Sequence, residues 1–337
     1  MALLKNFARS ASVAALAALA PVAAVHAQQT TGSIRATITD PSGAPVVSAN
    51  VTIIHEPTGS ATVVQSSSDG LVRASNLRVG GPYSLTVTAP GYRPTRVEGV
   101  SINLGESTDL ELTLESGAVA EDVIVVTGSA INVVETAIGP NATFDLGTLQ
   151  NAPAINRTLN DVVRIDPRIY VDEADVDGIQ CAGANSRFNS LTLDGVRLND
   201  AFGLNRNGFP TERQPFSYDA IEQVAVELAP YDVYYGGFSA CNINAVTKSG
   251  TNEFHGGLFY DFTSDDLRGD SREGNPVELA EFEEERWGFN LSGPILRDKL
   301  FFFVAYEYQE GANTFDRGPE GSGALNEVSG FTQAMFD

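Results

Sequence analysis

Residues with the types and spacing that catalysis requires are scarce in this sequence. The three histidines, His26, His55 and His255, lie far apart along the chain, and no HExxH or phosphate-loop pattern occurs. The stretch Gly237–Cys241 approaches the nucleophile elbow G-x-S-x-G, but its last position is cysteine and no strand–turn–helix pattern surrounds it. We therefore expect no catalytic residues and no enzyme.

A short acidic stretch imitates the start of a calcium loop. In Glu173–Gly178, carboxylates alternate with apolar residues before a glycine, as in an EF-hand. The twelfth position of such a loop would be Ala184, where a bidentate glutamate is required. This excludes an EF-hand, and we expect a solvated loop without metal; a looser calcium site of Asp172, Asp175 and Asp177 is the alternative. We expect no cofactor.

The charge balance is strongly acidic, with 43 Asp and Glu against 21 Lys and Arg and a net charge of −22. Such a chain repels phosphate backbones, so nucleic acid is not an expected partner. The length of 337 residues suits about two or three domains, and the hydrophobic content of 42% is sufficient for ordinary cores.

The N-terminus predicts export. Lys5 and Arg9 precede an apolar run of small residues, Ala11–Ala24, and the tripeptide 25–27 offers small residues at the two positions that signal peptidase reads. The run is shorter than the roughly 20 residues that a spanning helix needs, which disfavours the alternative of a membrane anchor. We therefore expect residues 1–27 to be a signal peptide and the mature chain to lie in an oxidising compartment.

The chain has two cysteines, Cys181 and Cys241. In an oxidising compartment we expect them to form a disulfide, which would close a loop of about 60 residues and contribute about 4 kcal/mol in the chain-entropy model. Two buried free thiols are the alternative. Two cysteines are too few for a multi-cysteine zinc site or a disulfide scaffold.

Short strands with a period of two fill the first folded segment, residues 28–116. Apolar and polar residues alternate at Ile34–Ile38, Tyr83–Ala89 and Leu110–Leu114, and turn signals such as Asp40–Gly43 separate the runs. About seven strands at this spacing predict a small β-sandwich.

The sequence of this segment also resembles a known family. GSIRATITDPSGAPVVSANVTI and SSDGLVRASNLRVGGPYSLTVTAPGY are similar to the carboxypeptidase regulatory-like domain. The resemblance implies a transthyretin-like sandwich, also described as a carbohydrate-binding-like fold. It implies neither peptidase activity nor sugar binding, because that domain is an accessory of some carboxypeptidases.

The middle segment, residues 140–251, has a mixed pattern that predicts an α/β domain. A helix-like run at Thr158–Ile165 ends before a proline. Ser190–Leu198 predicts a hairpin about a two-residue Asp-Gly turn, the strongest short hairpin signal. Alternating strands follow at Ile221–Glu227 and Cys241–Gly250.

Three motifs of this middle segment resemble the plug domain of TonB-dependent outer-membrane receptors: a DGV turn, an IExVEV strand and an IN-x-x-TKSG strand. The matching residues are Asp194, Gly195 and Val196, then Ile221, Glu222, Val224 and Val226, then Gly236, Ile243, Asn244, Thr247, Lys248, Ser249 and Gly250. The stretch 228–230 reads Leu-Ala-Pro where the family has Arg-Gly-Pro, so no role of that arginine is carried over.

Longer amphipathic strands begin near residue 252. One side is apolar, with Phe254, Leu258, Tyr260 and Phe262, then Trp287, Phe289 and Leu291, then Phe302, Val304, Tyr306 and Tyr308. Polar residues such as Arg286, Asn290 and Glu307 take the other side. A long acidic loop at Thr263–Glu285 and a short turn at Pro294–Lys299 separate the strands. This pattern is typical of a transmembrane β-barrel with long outer loops; a soluble sheet is the alternative.

The stretch LSGPILRDKLFFFVAYEYQ further resembles the Oar-like subgroup of these receptors, which also carries the N-terminal sandwich. Three strands cannot close a barrel, and open sheet edges are not viable in lipid. We therefore expect residues 252–337 to be the first strands of a truncated barrel in a longer receptor. We expect outer-membrane lipid and lipopolysaccharide around it, with Glu281–Glu285 in an exposed outer loop.

A short apolar stretch, EDVIVVTGSA, lies in the expected linker 117–139. Its residues Asp122, Val123, Ile124, Val125, Val126 and Thr127 resemble the TonB box of these receptors. A short segment rich in β-branched residues suits strand addition onto a partner sheet. A last strand of the sandwich or a first strand of the plug is the alternative.

These resemblances imply a TonB-dependent outer-membrane receptor or transporter, with the sandwich and the TonB box in the periplasm. Its mechanism would be physical: an extracellular ligand of unknown class would be imported with energy delivered through TonB. An outer-membrane adhesin or surface-assembly protein without transport is one alternative. A soluble secreted binding module is another.

Overall fold

A computed structural model describes residues 30–117, 124–127, 133–137, 141–311, 317–320 and 326–332, apart from short gaps at 153, 155, 173–176, 201, 212, 229, 231–234, 270 and 277–281. The expected signal peptide, 1–27, lies outside the described residues, as do Asp122 and Val123 of the TonB-box-like segment. The described chain is mainly β, as predicted. None of the helices among the described residues has the length and apolarity needed to cross a membrane.

The first nine strands form a sandwich of two sheets. They are β1 (Thr31–Thr39), β2 (Asn50–His55), β3 (Ser60–Gln65), β4 (Leu71–Arg78), β5 (Gly80–Thr88), β6 (Thr95–Ile102), β7 (Glu106–Thr113), β8 (Ile124–Thr127) and β9 (Val133–Ala137). One sheet has the order β4-β1-β7-β9 and the other β3-β2-β5-β6-β8. The predicted β-sandwich is therefore confirmed for the described residues 30–117, and two short strands from the following segment extend it.

Alternation of apolar and polar residues places one face of each sandwich strand in the core. Ile34 and Ile38 of β1, Leu85 of β5, Val97 of β6 and Leu110 of β7 are buried in one cluster between the two sheets. Since burial of a large aliphatic side chain contributes about 1.5–3 kcal/mol, this cluster dominates the stability of the sandwich.

The next nine elements form the central segment, residues 141–252. They are β10 (Asn141–Phe144), α1 (Leu146–Asn151), α2 (Leu159–Val163), β11 (Ile169–Asp172), β12 (Gly178–Cys181), β13 (Ser190–Leu193), β14 (Val196–Arg197), β15 (Ile221–Glu227) and β16 (Asn242–Thr247). Five strands form one sheet in the order β10-β15-β16-β13-β14, and β11 pairs with β12. Within the five-stranded sheet β13 and β16 are parallel, and the other pairs are antiparallel.

Local sequence signals explain these elements. The predicted hairpin forms with Leu193 opposite Val196, and its turn residues Asp194 and Gly195 have φ angles of 49° and 77°, as a type I′ turn requires. Helix α2 begins after Thr158 as predicted but ends at Val163, two residues before the expected end.

The last seven strands include three long ones, which form an antiparallel sheet. The seven strands are β17 (His255–Ser264), β18 (Ser271–Arg272), β19 (Asn275–Pro276), β20 (Glu283–Leu296), β21 (Leu300–Gly311), β22 (Arg317–Glu320) and β23 (Asn326–Thr332). The sheet has the order β17-β20-β21, and the short pairs β18–β19 and β22–β23 lie outside it. We call β17-β20-β21 the wall sheet.

The wall sheet has the two faces that the sequence predicts. Leu258, Phe289 and Val304 are exposed on one face, together with the tyrosines and the tryptophan of the same stripe. Arg286 and Glu307 are partly buried on the other face. The alternation therefore gives this sheet a continuous exposed apolar surface on one side.

The expected acidic loop is shorter than predicted. Strand β17 continues to Ser264 and β20 begins at Glu283, so that Glu283 and Glu284 pair with Ser264 and Thr263 instead of lying in a loop. The expectation that Glu281–Glu285 forms an exposed outer loop is therefore wrong for Glu283 to Glu285; Glu281 lies outside the described residues. Backbone pairing with β17 and with the end of β21 overrides the local loop propensity of the acidic run.

Candidate functional site

The described part of the TonB-box-like segment, Ile124–Thr127, is an edge strand in this structure. Strand β8 pairs in parallel with β6, with Thr95 opposite Ile124 and Glu98 opposite Thr127. Strand β9 follows and pairs antiparallel with β7, which belongs to the other sheet of the sandwich. Part of the expected linker is thus held on the sandwich, because both sheets end in a strand with an open edge and the segment is rich in β-branched residues.

The sandwich and the central segment meet at a buried junction. Val79 and Leu104 of the sandwich pack with Ala225 and Val246 of the central sheet in one apolar cluster. Beside it lies Gln223, which is 2% exposed.

Gln223 bonds across the junction through both ends of its amide. Its Oε1 accepts from the Leu104 backbone N–H at 2.9 Å, and its Nε2 donates to the Ile102 carbonyl at 3.2 Å. Sequence reasoning missed this residue, although a polar side chain inside an otherwise apolar strand was a visible signal.

A prediction concerns this amide. Because Gln223→Ala would leave the Leu104 N–H and the Ile102 carbonyl buried without their partner, we expect it to lower the free energy of unfolding by about 1–3 kcal/mol. Denaturant titration of the purified protein measures the change. Gln65→Ala is the matched control, because the Gln65 amide bonds to Asn50 on an exposed surface. Equal effects of both substitutions would contradict the structural role of the junction.

The plug-like motifs are brought together on the central sheet. Asp194 of the DGV turn accepts from Thr247 of the last motif twice: Oδ1 from the backbone N–H at 2.9 Å and Oδ2 from Oγ1 at 2.7 Å. Asn244 is fully buried and its Oδ1 accepts from Thr192 Oγ1 at 2.9 Å. These contacts join β16 to the β13–β14 hairpin, whereas Val196 is exposed.

A cleft between the sandwich and the central sheet contains charged groups from both. Arg78 of the sandwich and Asp194 and Glu222 of the central segment line it. Burial raises the pKa of the Glu222 carboxyl, opposed by the charges of Lys248 and Arg78, and burial lowers the pKa of the Lys248 ammonium. The motif residues Glu222 and Lys248 thus interact electrostatically at the junction.

Glu227 lies at the end of β15, directly before the Leu-Ala-Pro departure from the family pattern. It is buried, and its carboxylate accepts from the Tyr235 hydroxyl at 2.6 Å and from Asn242 Nδ2 at 2.8 Å. Burial raises the pKa of Glu227 above its ordinary value of 4.5, and the two hydrogen bonds oppose the rise.

This raised pKa predicts a pH dependence. A carboxyl whose pKa is higher in the folded state than in the unfolded state stabilises the folded protein at pH values below its unfolded-state pKa. This stabilisation is lost as the pH rises through the folded-state pKa. We therefore expect Glu227→Gln to become progressively more stable relative to the native protein as pH rises above about 4.5. Thermal unfolding across this pH range tests the prediction, with the exposed Glu253→Gln as control. Parallel pH profiles of Glu227→Gln and the native protein would refute it.

The two cysteines lie beside strands of two different sheets. Cys181 ends β12 and Cys241 precedes β16; the structure joins them in a disulfide with a Cα–Cα distance of 5.9 Å. Both residues are buried in the core of the central segment. The disulfide therefore ties the β11–β12 hairpin to the five-stranded sheet.

The remaining chemistry candidates do not assemble into a site among the described residues. Gly237–Cys241 is irregular backbone followed by strand β16, without the helix of a nucleophile elbow. Within the described ranges no group of three His, Cys, Asp or Glu residues could hold a metal ion. Asp172 accepts from Gln180 at 3.2 Å, while Glu173 and Asp175 lie outside the described residues.

The inner face of the wall sheet contacts the central segment. Glu307 Oε2 accepts from Ser217 Oγ at 3.0 Å, and Arg286 donates to the Asn156 carbonyl. The Arg157 guanidinium lies over the Phe259 ring, 3.7 Å from its centroid. As expected, the polar residues Arg286 and Glu307 face the segment that resembles a plug.

Two parts of this chain match family models. Residues 33–115 match the carboxypeptidase regulatory-like domain, and residues 246–316 match an outer membrane beta barrel domain. The chain thus combines an accessory sandwich with strands of an outer-membrane barrel, and these matches support a location in the cell outer membrane.

Two similar proteins are named as a TonB-dependent transporter and a probable TonB-dependent receptor. The chain is 28% identical over 240 residues to the TonB-dependent transporter Oar of Myxococcus xanthus, covering 67% of this chain and 22% of that protein. It is 26% identical over 219 residues to the probable TonB-dependent siderophore receptor PirA of Acinetobacter baumannii, covering 61% and 27%. The chain is related to TonB-dependent outer-membrane receptors, and it spans about a quarter of the length of these two relatives.

A solved structure of the outer membrane transporter YddB from Escherichia coli is also similar. It has 16% sequence identity and a TM-score of 0.41, covering 51% of this chain and 26% of that one.

Proposed function

We propose that this chain provides the sandwich, the plug and barrel strands of a TonB-dependent transporter, which imports an extracellular ligand with energy delivered through TonB. The observation that carries the proposal is the contact between the central segment and the polar face of the wall sheet. Ser217 and Asn156 bond to Glu307 and Arg286 there, while the opposite face is apolar and exposed. A plug inside a barrel wall that faces lipid has this arrangement.

The position of the sandwich supports a periplasmic location for it. The short turn between β20 and β21 contains Asp298, whose backbone N–H donates to Asn252 Oδ1 at 2.8 Å. The backbone N–H of Asn252 in turn donates to the carbonyl of Pro57 in the sandwich at 2.8 Å. Barrels have their short turns on the periplasmic side, so the sandwich would lie there with the TonB-box-like segment that follows it.

In this mechanism the motif residues Asp194, Asn244 and Thr247 hold the plug sheet together. Glu222 interacts with Lys248 within the central segment and with Arg78 of the sandwich, so it links the plug sheet to the sandwich. TonB would bind residues 122–127 by strand addition, in which backbone hydrogen bonds provide affinity. A pulling force from TonB on this segment would be transmitted along the chain through β9 and β10 to the plug. Movement of the plug would then open a path along the wall sheet. Lipid and lipopolysaccharide would surround the apolar face.

Binding to TonB is the experiment that tests the proposal. The full-length protein is purified from outer membranes in detergent, and its affinity for the C-terminal domain of TonB is measured. Specific binding that depends on residues 122–127 is the expected result. Absence of binding by a folded, membrane-inserted protein would refute the proposal and would favour the adhesin or surface-assembly alternative.

A further inference from the structure

Four consecutive residues of the TonB-box-like segment are paired with the sandwich. In register, Thr95, Arg96, Val97 and Glu98 of β6 lie opposite residues 124 to 127 of β8. Strand β8 is the terminal strand of its sheet among the described residues. The edge of β6 therefore provides a complementary row of backbone donors and acceptors for this segment.

A second anchor lies just after the first. Strand β9 pairs with β7 from Glu106 opposite Ala137 to Leu110 opposite Val133. Because β6 and β7 belong to different sheets, residues 124–127 are held on one sheet of the sandwich and residues 133–137 on the other. The segment cannot move away from the sandwich until the pairing of β8 with β6 or that of β9 with β7 opens.

We propose that the β6 edge of the sandwich is a resting site for the TonB-box-like segment and that it competes with TonB for this segment. The inference rests on the proposed function, since it assumes that TonB binds residues 122–127. Strand addition by TonB at the edge of the segment that faces β6 would use the same backbone groups that pair with β6, so this pairing must open before TonB binds there. The sandwich would then set the fraction of molecules that is competent to bind TonB.

The length and direction of the pairing make it reversible. Only four residue pairs join β8 to β6, and they are parallel, a pairing that is slightly less stable per residue than an antiparallel one. The apparent affinity of TonB falls in proportion to the fraction of molecules with a released segment. A signal that loosens the sandwich would therefore raise TonB affinity without changing the TonB-binding residues.

A reversible cross-link tests the competition. Arg96 and Val125 are opposite each other, so Arg96→Cys with Val125→Cys should form a disulfide that locks β8 onto β6. Because cross-linked molecules cannot release the segment, we expect oxidation of nine-tenths of the molecules to lower the amount of TonB bound at saturation about tenfold relative to the reduced form of the same variant, and mild reduction to restore that amount. The matched control is Asn50→Cys with Gln65→Cys, an exposed pair between β2 and β3, which should leave TonB binding unchanged in both states.

Three results would overturn the inference. The first is failure of the Arg96–Val125 cross-link to form under conditions that form the control cross-link. The second is equal TonB affinity of the locked and reduced forms, which would mean that TonB adds to the open edge of β8. The third is absence of TonB binding by every form including the native protein, which would refute the proposed function itself.

Hydrogen exchange examines the resting pairing without TonB and without substitutions. In the native full-length protein, we expect the backbone amides of residues 124–127 that face β6 to exchange about tenfold more slowly than those of a free peptide of the same sequence. Addition of TonB should then expose amides of Thr95–Glu98. Exchange of residues 124–127 at the peptide rate would refute the resting site even if TonB binds as proposed.

Discussion

Deletion of Asp122–Thr127 is expected to abolish binding to TonB and ligand uptake while the protein stays folded in the outer membrane. The segment contributes one short edge strand to the sandwich, whose large apolar core lies among β1 to β7. Removal of an edge strand therefore leaves the core intact, whereas the proposed attachment point for TonB is lost. Outer-membrane fractionation establishes folding, and affinity measurement with the TonB C-terminal domain establishes the loss.

A point substitution refines this result. Val125→Pro removes a backbone N–H within the segment and should reduce TonB binding as strongly as the deletion, because strand addition needs that donor. Val125→Ile keeps the N–H and the β-branched shape, so it serves as the matched control and should bind like the native protein. Unchanged TonB binding after Val125→Pro would return this segment to a structural role in the sandwich.

Replacement of both cysteines by serine is expected to destabilise the central segment by about 4 kcal/mol, the value of a loop of about 60 residues in the chain-entropy model. The disulfide joins Cys181 to Cys241, which are 60 residues apart in sequence. Without it the unfolded chain gains conformational freedom, and the β11–β12 hairpin loses its covalent tie to the sheet. Denaturant unfolding with a reporter in the central segment measures the change.

Reduction supplies the control for this experiment. Reductant should lower the stability of the native protein by a similar amount and should leave the double serine variant unchanged. If reductant has no effect on the native protein and thiol-specific labelling of the unfolded chain finds two free cysteines, the disulfide prediction is wrong.

Much of the fold could be predicted because alternation and turn chemistry are local. The sandwich strands, the hairpin at Asp194-Gly195 and the two faces of the wall sheet follow from period-two patterns and from residues that favour tight turns. In β20, for example, Arg286 lies on the predicted polar face, which contacts the central segment.

Long-range pairing could not be predicted in the same way. The pairing of Ile124–Thr127 with β6 depends on an open strand edge about 30 residues earlier in sequence, and the sequence pattern is equally consistent with a linker. Glu284 and Glu285 become strand residues because β17 and β21 offer backbone partners on both sides. The role of Gln223 depends on burial at the junction with the sandwich, and that of Glu227 depends on burial within the central segment. No local sequence pattern specifies either.

The disulfide also has a mechanical consequence. If TonB pulls on residues 122–127, the force passes along the chain through the central segment and reaches the wall sheet at β17. A covalent link between Cys181 and Cys241, which are 60 positions apart, carries the tension directly, so the chain between them bears none of it. At about 3.3–3.6 Å per residue, this removes about 200 Å from the distance over which the plug could be unravelled. The hairpin β13–β14, which lies within the bypassed loop, would therefore keep its shape while the chain before it extends.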